Sequence, residues 1–186
     1  MKDNPLPSEF CKNNPGFSKF FTIIENLRVS YMEATGRAGL KPAEGEKILN
    51  QLIDLVKQSI RTPPKFEIFH RSVRSPFDYR QFGLDFIRPL IDFEHSRILG
   101  HEYLKMINDQ IIKGDNVILL ANHQTEPDAQ ILSLLLKDYP SLAEEMIFVA
   151  GHRVTEDPMA IPLSMGCNLL CIYSKKHINY PPEEKQ

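Results

Sequence analysis

No stretch of this chain approaches the ~18 consecutive apolar residues of a helical membrane span, so a membrane-spanning helix is disfavoured. Charge of either sign is not in excess: 22 Lys and Arg face 24 Asp and Glu, a net of −2, and the two signs are interspersed. That balance argues against nucleic acid as the main partner, because the phosphate backbone calls for a basic surface. Cysteine is scarce. Cys11, Cys167 and Cys171 are odd in number and lack metal-ligand spacing, which fits a reducing compartment. The first fifteen residues carry both charges and no apolar core, so they do not read as a secretory signal. Nor are they Arg- and Ser-rich and acid-poor like a plastid transit peptide. A bacterial cytoplasm is the expected home, with plastid stroma the alternative if the genuine start lies elsewhere. Internal repeats and low-complexity tracts are also absent. With 186 residues, 42% of them hydrophobic, the chain can bury a core as one domain or as one domain plus a helical piece.

Two apolar patterns of helical period come first. Phe17, Phe20, Phe21, Ile24, Leu27 and Tyr31 recur on one face, and Gly36 and Gly39 end the pattern. Ile48, Leu49, Leu52, Ile53, Val56 and Ile60 repeat it up to Thr62-Pro63-Pro64. The pair predicts an antiparallel helical hairpin or small bundle over residues 1–64, its aromatics in the core. Residues 65–93 then interleave Arg71, Arg74, Arg80 and Arg88 with Phe66, Phe69, Phe77, Tyr79, Phe82, Phe86 and Phe93. This segment reads as an irregular bridge packed on a sheet, or alternatively as a docking face for an acidic protein.

From Tyr103 onward the pattern is α/β. Tyr103, Met106, Ile107, Gln110 and Ile111 predict a helix, and Lys113-Gly114-Asp115 turn it into an apolar run, Val117-Ile118-Leu119-Leu120, read as a buried strand. Residues 129–136 predict a helix with Leu132, Leu135 and Leu136 inward. Ile147–Ala150 and 169–173 predict two further strands, with Cys167 and Cys171 as small core residues. The β-α-β-α-β order implies a parallel or mixed sheet layered with helices, over residues 65–186.

Chemistry concentrates after the first of these strands. His123 follows Leu120 by three positions, and Asp128 opens the next helix. Open α/β sheets bind ligands outside the carboxyl ends of their strands. An Asp within reach of a His fixes its tautomer and stabilises the imidazolium, which makes the His a general base. The plainer reading is that Asp128 caps the helix and His123 is a loop residue, and both can hold together. Glu126 could be a second carboxylate, but a helix N-terminus favours such a residue without any catalytic duty.

The residues around the pair carry more information. Asn122-His123-Gln124-Thr125-Glu126 resembles the first motif of the soluble glycerol-3-phosphate acyltransferases of plastids and chlamydia-like bacteria. Four more stretches agree in order: Arg74-Ser75-Pro76-Phe77-Asp78-Tyr79, Phe86 to Phe93, Ile147 to Gly151, and Tyr173-Ser174-Lys175-Lys176-His177. The resemblance is dense from about residue 66 to 177.

It implies acyl transfer from an acyl-carrier-protein or coenzyme A thioester to the sn-1 hydroxyl of glycerol 3-phosphate, the first step of glycerolipid and phospholipid synthesis, with no cofactor. His123 would be the base and Asp128 its orienting partner. Lys176 and His177 would bind the phosphate, and Arg153, beside a strand end, could assist. The family also has a Gly-Gly-Arg-Asp-Arg-Pro-like motif and further strands after this point, which do not occur before Gln186. The expectation is therefore an N-terminal, truncated portion lacking C-terminal strands. Two other readings remain open. One is a catalytically silent fragment that binds carrier protein or a partner chain. The other is a metal-dependent hydrolase with His123, His152, His177 and Asp128 around the ion.

Overall fold

The computed structural model describes residues 15–172, with side chains from Thr22 onward. The chain divides into two compact units, Met1–Ile53 and Asp54–Gln186.

The first unit holds helix α1 (Pro15–Arg37) and most of α2 (Pro42–Arg61). Gly39, at φ 81°, takes the left-handed conformation that ends α1. Leu40 N–H then reaches back to the Thr35 carbonyl at 3.0 Å, satisfying a carbonyl the helix would orphan. Ile24, Tyr31, Leu49, Leu52 and Ile53 are buried, as the period predicts. The pairing is antiparallel: Arg28 reaches Glu46 at 3.5 Å and Asn50 at 3.2 Å, while Gly45 lies against Thr35. A Cβ on Gly45 would stand 3.0 Å from the Thr35 hydroxyl, so a glycine lets the helices approach there. Phe17, Phe20 and Phe21 carry side chains outside the described residues.

The second unit is a mixed three-stranded sheet with helices. β1 (Phe69–His70) pairs antiparallel with β3 (Asn168–Ile172), and β2 (Ile147–Gly151) pairs parallel with β3. The order is β1-β3-β2, with β3 central. The helices are α3 (Tyr79–Ile87), α4 (His101–Ile112), α5 (Asp128–Leu135), α6 (Pro140–Glu145), α7 (Arg153–Glu156) and α8 (Ile161–Ser164). The α/β class thus holds. Strands β2 and β3 fall within a residue of the expected spans.

One expected strand does not form. Residues 116–120 have no strand partner, and Ile118 and Leu120 are 84% and 95% exposed. An apolar run becomes a strand only when a neighbour takes its backbone groups. Among the described residues none does. Helix α4 also turns differently from its pattern: Leu104 and Ile107 pack on the Leu136–Leu142–Ala143 cluster, while Tyr103 and Met106 face solvent.

The 65–93 segment is more ordered than a bridge. Asp78 caps α3, its side chain accepting the Gln81 N–H at 2.8 Å. Phe82, Phe86 and Ile87 are buried by that helix. Three of its four arginines are engaged inside the unit: Arg71 pairs with Glu145 at 3.7 Å, Arg74 with Asp78 at 2.8 Å and Glu144 at 3.8 Å, and Arg80 donates to the Ala143 carbonyl at 3.0 Å. These contacts clamp the 71–80 stretch onto α6, which favours the packed-bridge reading over a docking face.

Residues 72–79 form a strap across the entry to β3. Val73 N–H bonds the Met165 carbonyl at 2.9 Å, Ser72 Oγ the Gly166 carbonyl at 3.0 Å, and Ser72 N–H the Asn168 side chain at 3.1 Å. Asn168 is buried, and its amide donates onward to the Glu144 carbonyl at 2.8 Å.

Asp78→Ala removes the α3 cap and the strongest Arg74 contact and is expected to lower stability by about 1 kcal/mol. Denaturant unfolding of the purified variant checks this, and an unchanged midpoint would refute the cap's contribution.

Candidate active site

Asp128 is the first residue of α5, directly after Pro127, and its own N–H closes a turn onto the Thr125 carbonyl at 3.1 Å. The turn folds residues 123–125 back over the carboxylate. One oxygen, Oδ2, accepts His123 Nδ1 at 2.7 Å and Gln124 N–H at 3.0 Å. The other, Oδ1, accepts Thr125 N–H at 3.1 Å. Three donors therefore converge on one side chain across a five-residue offset.

The partial desolvation of Asp128 raises its pKa, but the donors from Gln124, His123 and Thr125 outweigh that and hold the carboxyl below its ordinary value of 3.8. A lowered folded-state pKa contributes stability that is present above the unfolded value and lost as pH falls through the folded one. The stability gap between the wild type and Asp128→Asn should accordingly narrow on acidification below about pH 4. Paired urea titrations across pH 2.5 to 6 test it. A constant gap would mean that the donors do not favour the ionised carboxylate.

An ionised carboxylate only accepts hydrogen bonds, so His123 Nδ1 must be the donor. That assigns the neutral imidazole its Nδ1–H tautomer and leaves the Nε2 lone pair without a partner among the described residues. The His123 side chain is 71% exposed and Asp128 29%. The base is thus open to a substrate from one side and fixed from the other. The run before it is not a strand, so the site sits on a helix-start corner rather than at a strand end.

The other expected residues are spread more widely. Arg153 is the exposed first residue of α7, immediately after β2 and His152. His152 continues the sheet, its N–H bonding the Ile172 carbonyl at 3.1 Å, and its ring lies 3.9 Å from Glu156. Glu126 is exposed, and the carboxylate that meets His123 is Asp128. Lys176 and His177 lie outside the described residues. Among the described residues no group of three His, Cys, Asp or Glu side chains could hold a metal ion, and His177 of the hydrolase reading lies outside them.

One participant escaped the sequence reading. On α5 the buried side chains are Gln130 and Leu134, while Leu132 is 38% exposed. The inward face was assigned to leucines alone, yet Gln130 stands one helical turn before Leu134 on the same stripe.

The acyltransferase family model matches residues 102–184, which include the His123–Asp128 corner. Over 165 residues, 86% of this chain and 36% of the relative, the sequence is 44% identical to a chloroplastic glycerol-3-phosphate acyltransferase of Cucurbita moschata. Over that span the chain is similar to plastid glycerol-3-phosphate acyltransferases. The corresponding enzyme of Spinacia oleracea is 41% identical over 163 residues, 86% of this chain and 34% of its own length. That of Arabidopsis thaliana is 39% identical over 163 residues, again 86% of this chain and 36% of the relative. The chain spans about a third of the length of the curated relatives it matches. These relatives are chloroplastic by name, so the bacterial cytoplasm expected from the N-terminus finds no support among them. No helix among the described residues is long and apolar enough to cross a membrane.

Proposed function

We propose that the polypeptide carries the base of a glycerol-3-phosphate 1-O-acyltransferase. The observation that carries the proposal is the 2.7 Å contact between His123 Nδ1 and Asp128, with Nε2 left available. In this reading Nε2 takes the proton of the sn-1 hydroxyl as its oxygen attacks the carbonyl carbon of an acyl thioester. Asp128 stabilises the imidazolium that forms. The tetrahedral intermediate collapses by breaking the C–S bond, and the departing thiolate receives the proton from Nε2. One acyl ester and one free thiol result, with no acyl-enzyme.

Backbone N–H groups at the start of α5 are the donors assigned to the developing oxyanion. Lys176, His177 and Arg153 are assigned to the phosphate, whose charge suits cationic and N–H donors. Acyl-carrier-protein and coenzyme A thioesters are the donor classes, and the chloroplastic relatives favour plastid stroma as the location. The 1–64 helical region is assigned a separate, non-catalytic role beside the 65–186 catalytic part.

Incubation with glycerol 3-phosphate and each thioester, read by mass spectrometry, tests the proposal. Equal amounts of 1-acylglycerol 3-phosphate and free thiol are expected. No acylated product with either donor would reject it.

A further inference from the structure

We infer that Gln130 is a positioning residue that sets the His123–Asp128 pair by tying the first turn of α5 to the segment leading into β3. The inference rests on the proposed reading of His123 as the base for its catalytic consequence, although the tie itself is geometric.

Residues 116–126 are almost wholly exposed. Their hydrogen bonds among the described residues converge on the corner itself: Gln124 N–H, Thr125 N–H and the His123 ring onto the Asp128 side chain, and the Asp128 N–H onto Thr125. The pair is therefore positioned only as well as the first turn of α5 is positioned. Within that turn Asp128 and Ala129 are half-buried, and Gln130 is the buried side chain, 6% exposed.

Gln130 is held by directional contacts rather than by apolar packing alone. Its Nε2 donates to the Leu163 carbonyl at 3.2 Å and lies 3.4 Å from Cys167 Sγ. Burial pushes the Cys167 thiol up to about 11, so the sulfur stays protonated and neutral as the amide's second partner. Gln130 also packs on α3, its Cγ and Nε2 each 3.5 Å from where a Cβ of Gly83 would stand. Leu163 lies within α8 and Cys167 precedes β3, so one amide clasps α5 to both. An apolar residue of equal size could fill the space. It would supply no directional bond against rotation of α5 about its axis, whereas the amide's bonds weaken steeply with angle.

The readout is the His123 tautomer, measured from the imidazole nitrogen shifts of histidine-labelled protein at alkaline pH through the carbon-bound protons. The wild type is expected to show predominantly Nδ1–H. In Gln130→Met, of similar shape but without donors, the Nδ1–H fraction should fall towards that of an unconstrained imidazole. In turnover assays kcat should fall about ten- to a hundredfold with KM little changed, as for a misplaced catalytic group. Leu49→Ala, which empties a fully buried position in the helical hairpin, serves as a destabilised control that should keep the tautomer.

An unchanged tautomer in Gln130→Met overturns the inference and leaves the His–Asp reading standing. A loss in Leu49→Ala as well overturns it too, since general destabilisation would then suffice. A wild type lacking the Nδ1–H form would instead reject the His–Asp reading itself. Should Gln130→Met fail to fold, Cys167→Ala removes one of the amide's two partners. An intermediate loss of the Nδ1–H form is then expected, and an unaltered fraction overturns the inference.

Discussion

Replacing His123 with alanine is expected to lower acyl transfer by about two to four orders of magnitude while leaving the fold in place. The two halves of that expectation have separate grounds. The imidazole is 71% exposed and, among the described residues, its ring bonds Asp128, so removing it empties no core. Asp128 retains two backbone donors, from Gln124 and Thr125, and the corner stays closed. What disappears is the group able to accept a hydroxyl proton near neutral pH. An alcohol ionises too weakly for attack without such a base. The check is a progress curve for 1-acylglycerol 3-phosphate beside a circular dichroism melt. Turnover within a factor of about three of the wild type would remove His123 from the mechanism, well below the range a positioned base contributes.

Gly166→Ala should have the largest effect on stability. A Cβ there would stand 2.5 Å from the Tyr79 carbonyl oxygen, 2.7 Å from its carbon and 2.8 Å from the Arg80 Cα. All three are backbone atoms, so no side chain can rotate away. The strap over residues 72–79 would have to lift from the 165–168 segment, loosening the bonds of Val73 and Ser72 to Met165, Gly166 and Asn168. A loss of about 3 kcal/mol is expected, the upper part of the range for overpacking a closed site. Denaturant unfolding measures it, and a loss below about 0.5 kcal/mol, the scale of an ordinary surface substitution, would show that the backbone gives way easily.

Much of this was legible in the residues. The hairpin helices announced themselves by their 3.6-residue period, and β2 and β3 by short apolar runs. The His123–Asp128 contact was readable because a five-residue offset across a helix start can close. The strand over 117–120 was misread because an apolar run reports a wish for burial, and pairing depends on a neighbour that the run cannot name. Helix α3 was missed because Gly83 interrupts a short stretch bounded by Pro76 and Pro89, and its cap, Asp78, is a signal visible only once the helix is suspected. Gln130 was hidden among leucines. A buried amide is identified by its partners, Leu163 and Cys167, more than thirty residues away.

The strap also bears on how the polypeptide acquires its form during synthesis. Ser72 meets Asn168 across 96 residues, and Gln130 meets Leu163 across 33. A ribosome releases the His123–Asp128 corner well before it releases the groove that receives Gln130. Closing such long loops costs chain entropy before any contact repays it. The hairpin can form early from local contacts, whereas the reactive corner acquires its fixed orientation only once the residues around 163–168 have emerged.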